Sequence, residues 1–291
     1  MPPRPLHESA RYRGHDEPPL RSALDVLLRH VPYPLWPGRW AARLRVQGRV
    51  GVTAYRQVAP ALRAPLRLAF ASDFHAGPMT DARHLRRAVE QLRALAPDLL
   101  LLGGDFVSGR ATWARALVDD LATLRPPLGT FAVLGNHDLW SDFDELEVML
   151  LTAGIELVTN RAVRLPPPHD EVTVAGLDDH ESGLPDATPL AQAEGFRLLL
   201  LHSPSGIHDL DGARFDLALA GHTHAGQIAL PGGLPILLPQ GEGLRRMCYG
   251  RFDGGVTGSG TLIVSRGVGY SSLPLRAFAP AEVVLVELVP G

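Results

Sequence analysis

The first regular pattern in the chain is helical. Leu20, Ala23, Leu24, Leu27, Leu28 and Val31 recur at i, i+3, i+4, i+7, i+8 and i+11, which predicts an amphipathic helix over residues 20–31. Pro32, Pro34 and Pro37 then end it, because proline fixes φ and lacks the amide donor a helix needs. Residues 43–57 alternate in part, with Gly48 and Gly51 between the apolar positions, and predict a β-hairpin. From Leu66 the pattern changes. Short apolar runs at 66–72, 98–104 and 129–135 alternate with helical segments at 81–96, 111–124 and 141–153, the first capped by Thr80 or Asp81. Further strands are predicted at 171–176, 196–202, 216–221, 261–267 and 282–288. The uninterrupted apolar run in "DLLLLGG" suits a parallel strand covered on both faces. Strand–helix alternation predicts an α/β layered fold with parallel crossovers, and the late strands predict a second sheet with helices outside. Residues 1–19 read as a disordered tail, 20–65 as a helix and hairpin packed on or near the core, and 66–291 as one catalytic domain.

The apolar runs end in polar residues of one chemical kind. "SDFH" follows the first, "GGDF" the second and "GNHD" the third, while "HSP" and "GHTH" follow the runs at 196–201 and 217–220. Parallel α/β sheets bind ligands beyond the carboxyl ends of their strands. Five strand ends would therefore bring Asp73, His75, Asp105, Asn136, His137, His202, His222 and His224 to one rim. The i, i+2 spacing of Asp73 with His75, and of His222 with His224, puts each pair on one side of an extended segment. Glycines at 104, 135 and 221 allow tight turns and close approach to a ligand. Carboxylate, imidazole and amide oxygen suit Mn²⁺, Fe²⁺ and Zn²⁺, and no thiolate is near. Eight donors exceed the need of one ion and suit two ions about 3.5–4 Å apart sharing a carboxylate, the arrangement of two-metal hydrolysis. One such motif alone is common noise; five in order at strand ends are not. The histidines at 7, 15, 30, 84, 169, 180 and 208 read as surface or loop residues.

Composition narrows the chemistry further. Net charge is −3, which offers no basic face for specific nucleic-acid binding. The single cysteine, Cys248, cannot form an internal disulfide. All 28 basic residues are arginine, so Schiff-base catalysis and a lysine-bearing phosphate loop are excluded. No apolar run approaches the roughly 18 residues of a membrane span, and no signal segment is visible. The expected location is cytoplasmic; residues 20–40, where leucines, Arg21, Arg29, Trp36 and Trp40 lie together, are expected to pack on the catalytic domain, with peripheral contact to the inner membrane face as the alternative.

Asp73/His75, Gly104-Asp105, Gly135-Asn136-His137-Asp138, His202 and Gly221-His222-Thr223-His224 resemble, in order, the pattern of the calcineurin-like metallophosphoesterase superfamily. "GHTHAGQ", a following Leu-Pro loop and "SRGVGYSSLPLR" are similar to its YaeI/YkuE-like bacterial phosphodiesterase group. The resemblance covers about residues 66–290. It implies a four-layer α/β/β/α sandwich of two mixed sheets flanked by helices. It also implies two divalent ions (Mn, Fe or Zn, with Mn favoured). One would be held by Asp73, His75, Asp105 and His224, the other by Asp105, Asn136, His202 and His222, with Asp105 bridging.

The implied reaction cleaves a phosphodiester or pyrophosphate by in-line attack of a metal-bridging hydroxide. The same site acting on phosphomonoesters or phosphoprotein is the alternative, and a non-catalytic scaffold of the same fold a third. His137 is expected as general acid, with Asp138 orienting it and raising its pKa; a hydrogen bond without proton transfer is its alternative. Asp179, Arg245 and Arg246 are expected to contact substrate; Asp178, Asp179 and His180 follow a strand and are equally well explained as lining the cleft or as a loop cap. Arg266, Arg276 and Tyr270 are read as supports of the C-terminal sheet. The expected substrates are a small phosphodiester, a nucleotide-sugar or a lipid-linked phosphate, with the choice among them placed at Gln227 and the loop after it.

Overall fold

A computed structural model describes residues 31–44, 47–239, 244–254 and 258–291. The expected tail over 1–19, and the helix over 20–31 save for Val31, lie outside the described residues. Two six-stranded sheets form the framework. The first contains β1 (Gly51–Val58), β2 (Leu66–Ala71), β3 (Leu99–Leu102), β4 (Thr130–Ala132), β5 (Ile155–Leu157) and β12 (Glu282–Val289). Its order is β1-β12-β2-β3-β4-β5. The second contains β6 (Arg161–Arg164), β7 (Val172–Gly176), β8 (Phe196–Leu200), β9 (Leu217–Ala220), β10 (Gly250–Phe252) and β11 (Thr261–Val264). Its order is β10-β11-β9-β8-β7-β6. Both are mixed: β2 to β5 run parallel, as do β7, β8, β9 and β11, while β12 meets β2 antiparallel and the edges β6 and β10 are antiparallel.

The period-2 alternation of strand side chains builds the layers. Leu66, Leu68 and Phe70 of β2 face Leu198, Leu200, Leu217 and Leu219 of the second sheet in one buried core. Ala69 and Ala71 point the other way, onto Leu85, Ala88, Val89 and Leu92 of helix α2 (Ala82–Ala94). Helices α3 (Arg115–Ala122) and α5 (Phe143–Thr152) complete that outer layer with Leu117, Leu121, Leu146 and Leu150. The layer outside the second sheet is thinner. It comprises α6 (Thr188–Ala191) and loop residues such as Leu210, Phe215 and Met247, packed on Leu199, Ala218 and Leu262. Asp81 caps α2, its side chain accepting from the Arg83 amide. The expected α/β/β/α arrangement is thus present.

The hairpin expected over 43–57 does not form. Arg43 ends helix α1 (Pro37–Arg43), and β1 pairs in parallel with β12, from Gly51 opposite Glu282 to Val58 opposite Val289. A partly alternating run with two glycines fits a single edge strand as well as a hairpin, and its true partner lies at the far end of the sequence. No helix among the described residues is long and apolar enough to cross a membrane. Tyr33, Leu35 and Trp40 are exposed.

Candidate metal centre

The C-terminal ends of β2, β3 and β4 meet those of β8 and β9 where the two sheets converge. The turn after β2 carries Asp73 and His75, the turn after β3 carries Asp105, and helix α4 (Asn136–Leu139) begins right after the β4 segment with Asn136 and His137. His202 follows β8, and His222 and His224 follow β9. All seven expected ligands, and His137 with them, are buried. Five of them, Asp73, His75, Asp105, His222 and His224, hold φ between 46° and 68°. Left-handed backbone at non-glycine residues costs energy and persists where the surroundings enforce it, commonly at functional sites. Gly221 belongs to the same construction: a β-carbon there would lie 2.2 Å from Ser72 Oγ and 2.3 Å from Asp73 Oδ2.

The donor atoms converge. Asp105 Oδ2 lies 3.4 Å from His75 Nε2 and 3.4 Å from His202 Nε2, between the two expected ion positions. His75 Nε2 is 3.0 Å from His224 Nε2, and His224 Nε2 is 3.5 Å from Asp73 Oδ1. On the other side, His202 Nε2 faces Asn136 Oδ1 at 3.0 Å and His222 Nδ1 at 3.2 Å. Asp73, His75 and His224 form one potential ion-holding group, Asp73, Asp105 and His202 a second, and His75, Asp105 and His137 a third.

The chemistry of this cluster fits a cation. His202 Nδ1 donates to the Gly103 carbonyl at 2.8 Å, which leaves the neutral ring a lone pair on Nε2. That lone pair points into the Asp105 carboxylate and the Asn136 side-chain oxygen, acceptors that only a proton or a metal ion can satisfy. The same surroundings govern the His202 pKa. Burial opposes its charging, but Asp105 and Asp179 outweigh burial and raise it well above the usual imidazole value. Asp105 answers in kind: burial opposes ionisation, yet His202, His137 and His75 hold its carboxyl well below the usual range. Burial raises Asp73, with Asp105 beside it. His222 Nε2 and Glu181 Oε1 are 3.0 Å apart, and Glu181 raises the His222 pKa against the effect of burial. A metal-binding imidazole is characteristically fixed by a carbonyl or carboxylate behind it, as His202 is by Gly103.

Arg276 supports the other side. Its Nη2 donates to His224 Nδ1 at 2.9 Å and its remaining bonds go to the carbonyls of Gly269, Arg266, Ala279 and His224 itself. A guanidinium only donates, so the neutral His224 proton sits on Nε2 and His75 Nε2 accepts it. Binding a cation at that nitrogen must expel the proton. Burial, Arg276 and His75 together push the His224 pKa well below 6.5, which keeps the ring from taking up a second proton. Burial lowers Arg276 itself to about 10, so it stays charged at neutral pH.

Other expected site residues are placed differently. Both Asp138 oxygens accept from backbone amides, of Val107 at 3.2 Å and Gly135 at 3.0 Å. Its carboxylate therefore builds the turn that carries His137 and does not orient the ring, because those two amides occupy it. Burial, reinforced by Asp105, raises its pKa to about 8. The His137 ring stands edge-on to His75, with centroids 4.6 Å apart, and its amide donates to Asp105 Oδ1 at 2.9 Å. Asp179 is fully buried; its Oδ2 accepts from the amides of Glu181 and Ser182, which shapes the loop, while Oδ1 has no hydrogen-bond partner. Burial raises it to about 6. Arg245 and Arg246 are exposed on a turn. Asp178 accepts from the amides of Asp179 and Leu184, and His180 lies 2.6 Å from Asp209. His84, expected at the surface, is buried in α2 and bonds the Val268 carbonyl at 2.9 Å. Arg266 bonds Glu282, in keeping with a support role. Sequence reading missed Glu181, which no motif marks, and Ser108, 3.1 Å from His75 Nδ1.

Comparison with known proteins gives a consistent picture. The family model described as "Calcineurin-like phosphoesterase" matches residues 66–226, more than half of the chain. An uncharacterized metallophosphoesterase of Aquifex aeolicus is 29% identical over 75% of this chain and 83% of its own length. Phosphodiesterase YaeI of Escherichia coli is 30% identical over 78% of this chain and 83% of its own. A transmembrane protein with metallophosphoesterase domain from Danio rerio is 30% identical over 77% of this chain, which spans only 53% of that protein. Among solved structures, TT1561 of Thermus thermophilus aligns at a TM-score of 0.46 and 14% identity, over 70% of this chain and 90% of that one.

Proposed function

The chain belongs to the calcineurin-like phosphoesterase family, hydrolases of phosphoric ester bonds, and from that premise we propose that it is a dimetal phosphohydrolase that cleaves a phosphodiester or pyrophosphate. One observation carries the reading: Asp105 Oδ2 stands 3.4 Å from a histidine on each side, between two sets of nitrogen and oxygen donors. Asp73, His75, Asp105 and His224 would hold one ion, and Asp105, Asn136, His202 and His222 the other. The donors suit Mn²⁺, Fe²⁺ or Zn²⁺, of which Mn²⁺ is the proposed occupant. When bound, two such ions supply positive charge to phosphate oxygens and lower the pKa of a water.

The protein's own part is positioning and proton handling. The buried cluster fixes its donors before substrate arrives and excludes bulk water around them. Hydrolysis adds the oxygen of water to phosphorus and breaks the bond to the leaving oxygen, which must gain a proton. We assign that delivery to His137, the buried imidazole beside His75 that is not among the seven ligands. The name of the Escherichia coli relative supports a diester over a monoester. Cytoplasmic location, with contact to the inner membrane face through residues 20–40, is part of the same proposal. Metal analysis followed by assay with bis- and mono-(4-nitrophenyl) phosphate tests it. Two equivalents of metal and preference for the diester are expected. Faster monoester cleavage would favour a phosphomonoesterase, and a metal-free, inactive protein would leave only a scaffold.

A further inference from the structure

An apolar groove opens beside the metal centre. It has a volume of about 260 Å³ and is lined by Ile228, Leu237, Leu238 and Leu273, with His224 and Gln227 at its inner end. Its outer wall is the loop "ALPGGLPILLP", where Leu230, Leu234, Ile236 and Leu237 are 48%, 65%, 50% and 71% exposed. Single exposed leucines are ordinary, but this loop exposes four large apolar side chains within eight residues, and Leu273, 48% exposed, lines the groove together with Leu237. The loop is held in place. The Leu230 amide donates to the Leu234 carbonyl at 2.8 Å, and that of Ile236 to Ile228 at 3.0 Å. Gln227 pins the opposite wall, donating to the Leu273 carbonyl and accepting from the Ser271 amide. Backbone bonding is therefore satisfied while the leucines face outward.

We propose that this groove receives an aliphatic arm of the substrate, so that the natural ester is an amphiphile: a phosphodiester or diphosphate bearing an alkyl, acyl or prenyl chain. The proposal rests on the phosphohydrolase reading of the cluster. Two features select this occupant. The groove begins at His224, a ligand of that cluster, so a phosphate held there has one ester substituent leading along the leucines. Of the polar side chains in the lining, Thr223 is bonded to the Cys248 carbonyl and Gln227 to Leu273 and Ser271, so beside Ser271 and Ser272 an occupant meets chiefly the apolar walls of Ile228, Leu237, Leu238 and Leu273. Gln227 then acts through the walls it joins, as a positioning residue.

The test uses the full chain loaded with Mn²⁺ and two series running from methyl to octyl. Alkyl(methyl)phosphinates, which carry only P–C bonds and so are not cleaved, report binding by calorimetry; 4-nitrophenyl alkyl phosphates report turnover. Kd and KM should each fall about fourfold per methylene until the groove is filled. Leu237→Gln and Leu273→Gln should flatten that dependence, while Val148→Gln, on the exposed face of α5, leaves it intact. Equal affinity from methyl to octyl overturns the proposal, as does an undiminished gain in both groove variants. Flotation with phosphatidylcholine vesicles that depends on Leu237, with no gain for soluble esters, would make the surface a membrane contact and also overturn it. The two readings fail separately. Cleavage of the methyl ester without chain-length dependence removes the groove assignment alone. Chain-length-dependent binding with no turnover on any metal removes the phosphohydrolase reading and keeps the groove.

Discussion

Gly135→Ala isolates the geometry of the metal centre from its chemistry, because no ligand is removed. The backbone there has φ −103° and ψ 175°, open to alanine, so only space matters. A β-carbon would lie 2.3 Å from Asp105 Oδ1 and 2.6 Å from His202 Cε1. Opening the first contact even to 3.0 Å requires a shift of about 0.7 Å. Neither neighbour yields freely: Asp105 Oδ1 accepts from the His137 amide, and His202 Nδ1 is pinned to Gly103. Overpacking of this kind costs roughly 1–3 kcal/mol in stability. A displacement approaching 1 Å at a reacting centre costs on the order of 100-fold in rate, about 2.7 kcal/mol of transition-state stabilisation. The assay is metal content by plasma mass spectrometry together with kcat/KM on bis-(4-nitrophenyl) phosphate. Gly48→Ala is the control, since a β-carbon there meets nothing within 4 Å. If Gly135→Ala retains both ions and wild-type kcat/KM, the claim that Asp105 and His202 are held rigidly is refuted.

Three further expectations follow from the same contacts. Mn²⁺ at 100 times its Kd should stabilise the protein by about 2.7 kcal/mol in urea unfolding; excess chelator should reverse this and Asp105→Asn abolish it, and an unchanged midpoint with Mn²⁺ counts against the ion site. Burial depresses His84 to about 4 from an unfolded value of 6.5, so the unfolded chain binds more protons between those values. Stability should then rise with pH through that window, by on the order of 3 kcal/mol, and His84→Gln should lose most of this component when wild type and variant are unfolded in urea at pH 4.5 and 7. Glu282 is buried, and Arg266 donates to it from Nε at 3.0 Å and from its own amide at 2.9 Å. Arg266→Leu takes the guanidinium from that carboxylate and should cost about 3–5 kcal/mol, read from the urea midpoint; a loss below 1 kcal/mol would mean that Thr53 and the amide of residue 266 together satisfy it.

Most strands and the clustering of the Asp, Asn and His residues at their ends were legible because each rests on a local signal. Apolar runs of four to seven residues announce covered strands, and a polar residue right after such a run has nowhere to go but the rim. Asp81 was readable as a cap for the same local reason. Pairing was not. Nothing in residues 51–58 says that their partner is 282–289, because register between distant strands is decided by packing that no periodicity records. Strands of three residues such as Ile155–Leu157 give too short a pattern to find. Among the polar groups, Asp138 shows the limit: adjacency in sequence to His137 suggested a bond, but the helical turn sends its carboxylate back to its own N-terminus. Glu181 reaches His222 only through a loop folded around Asp179, a three-dimensional fact with no motif.

The seat of β12 between β1 and β2 sets an order of events during synthesis. About 210 residues separate the end of β2 from the start of β12. At roughly 5–20 residues per second, β2 waits about 10–40 s on the ribosome with one edge bare. An unpaired strand edge invites association with other chains. The loop just before β12 also supplies the Val268 and Gly269 amides that bond the carbonyls of Ser72 and Asp73. The turn presenting the first metal ligands therefore gains its last two restraints only when the C-terminal segment arrives. A nascent chain lacking that segment would show an open sheet edge and a loosened ligand turn together, so competence to bind metal and resistance to aggregation should be acquired in a single late step.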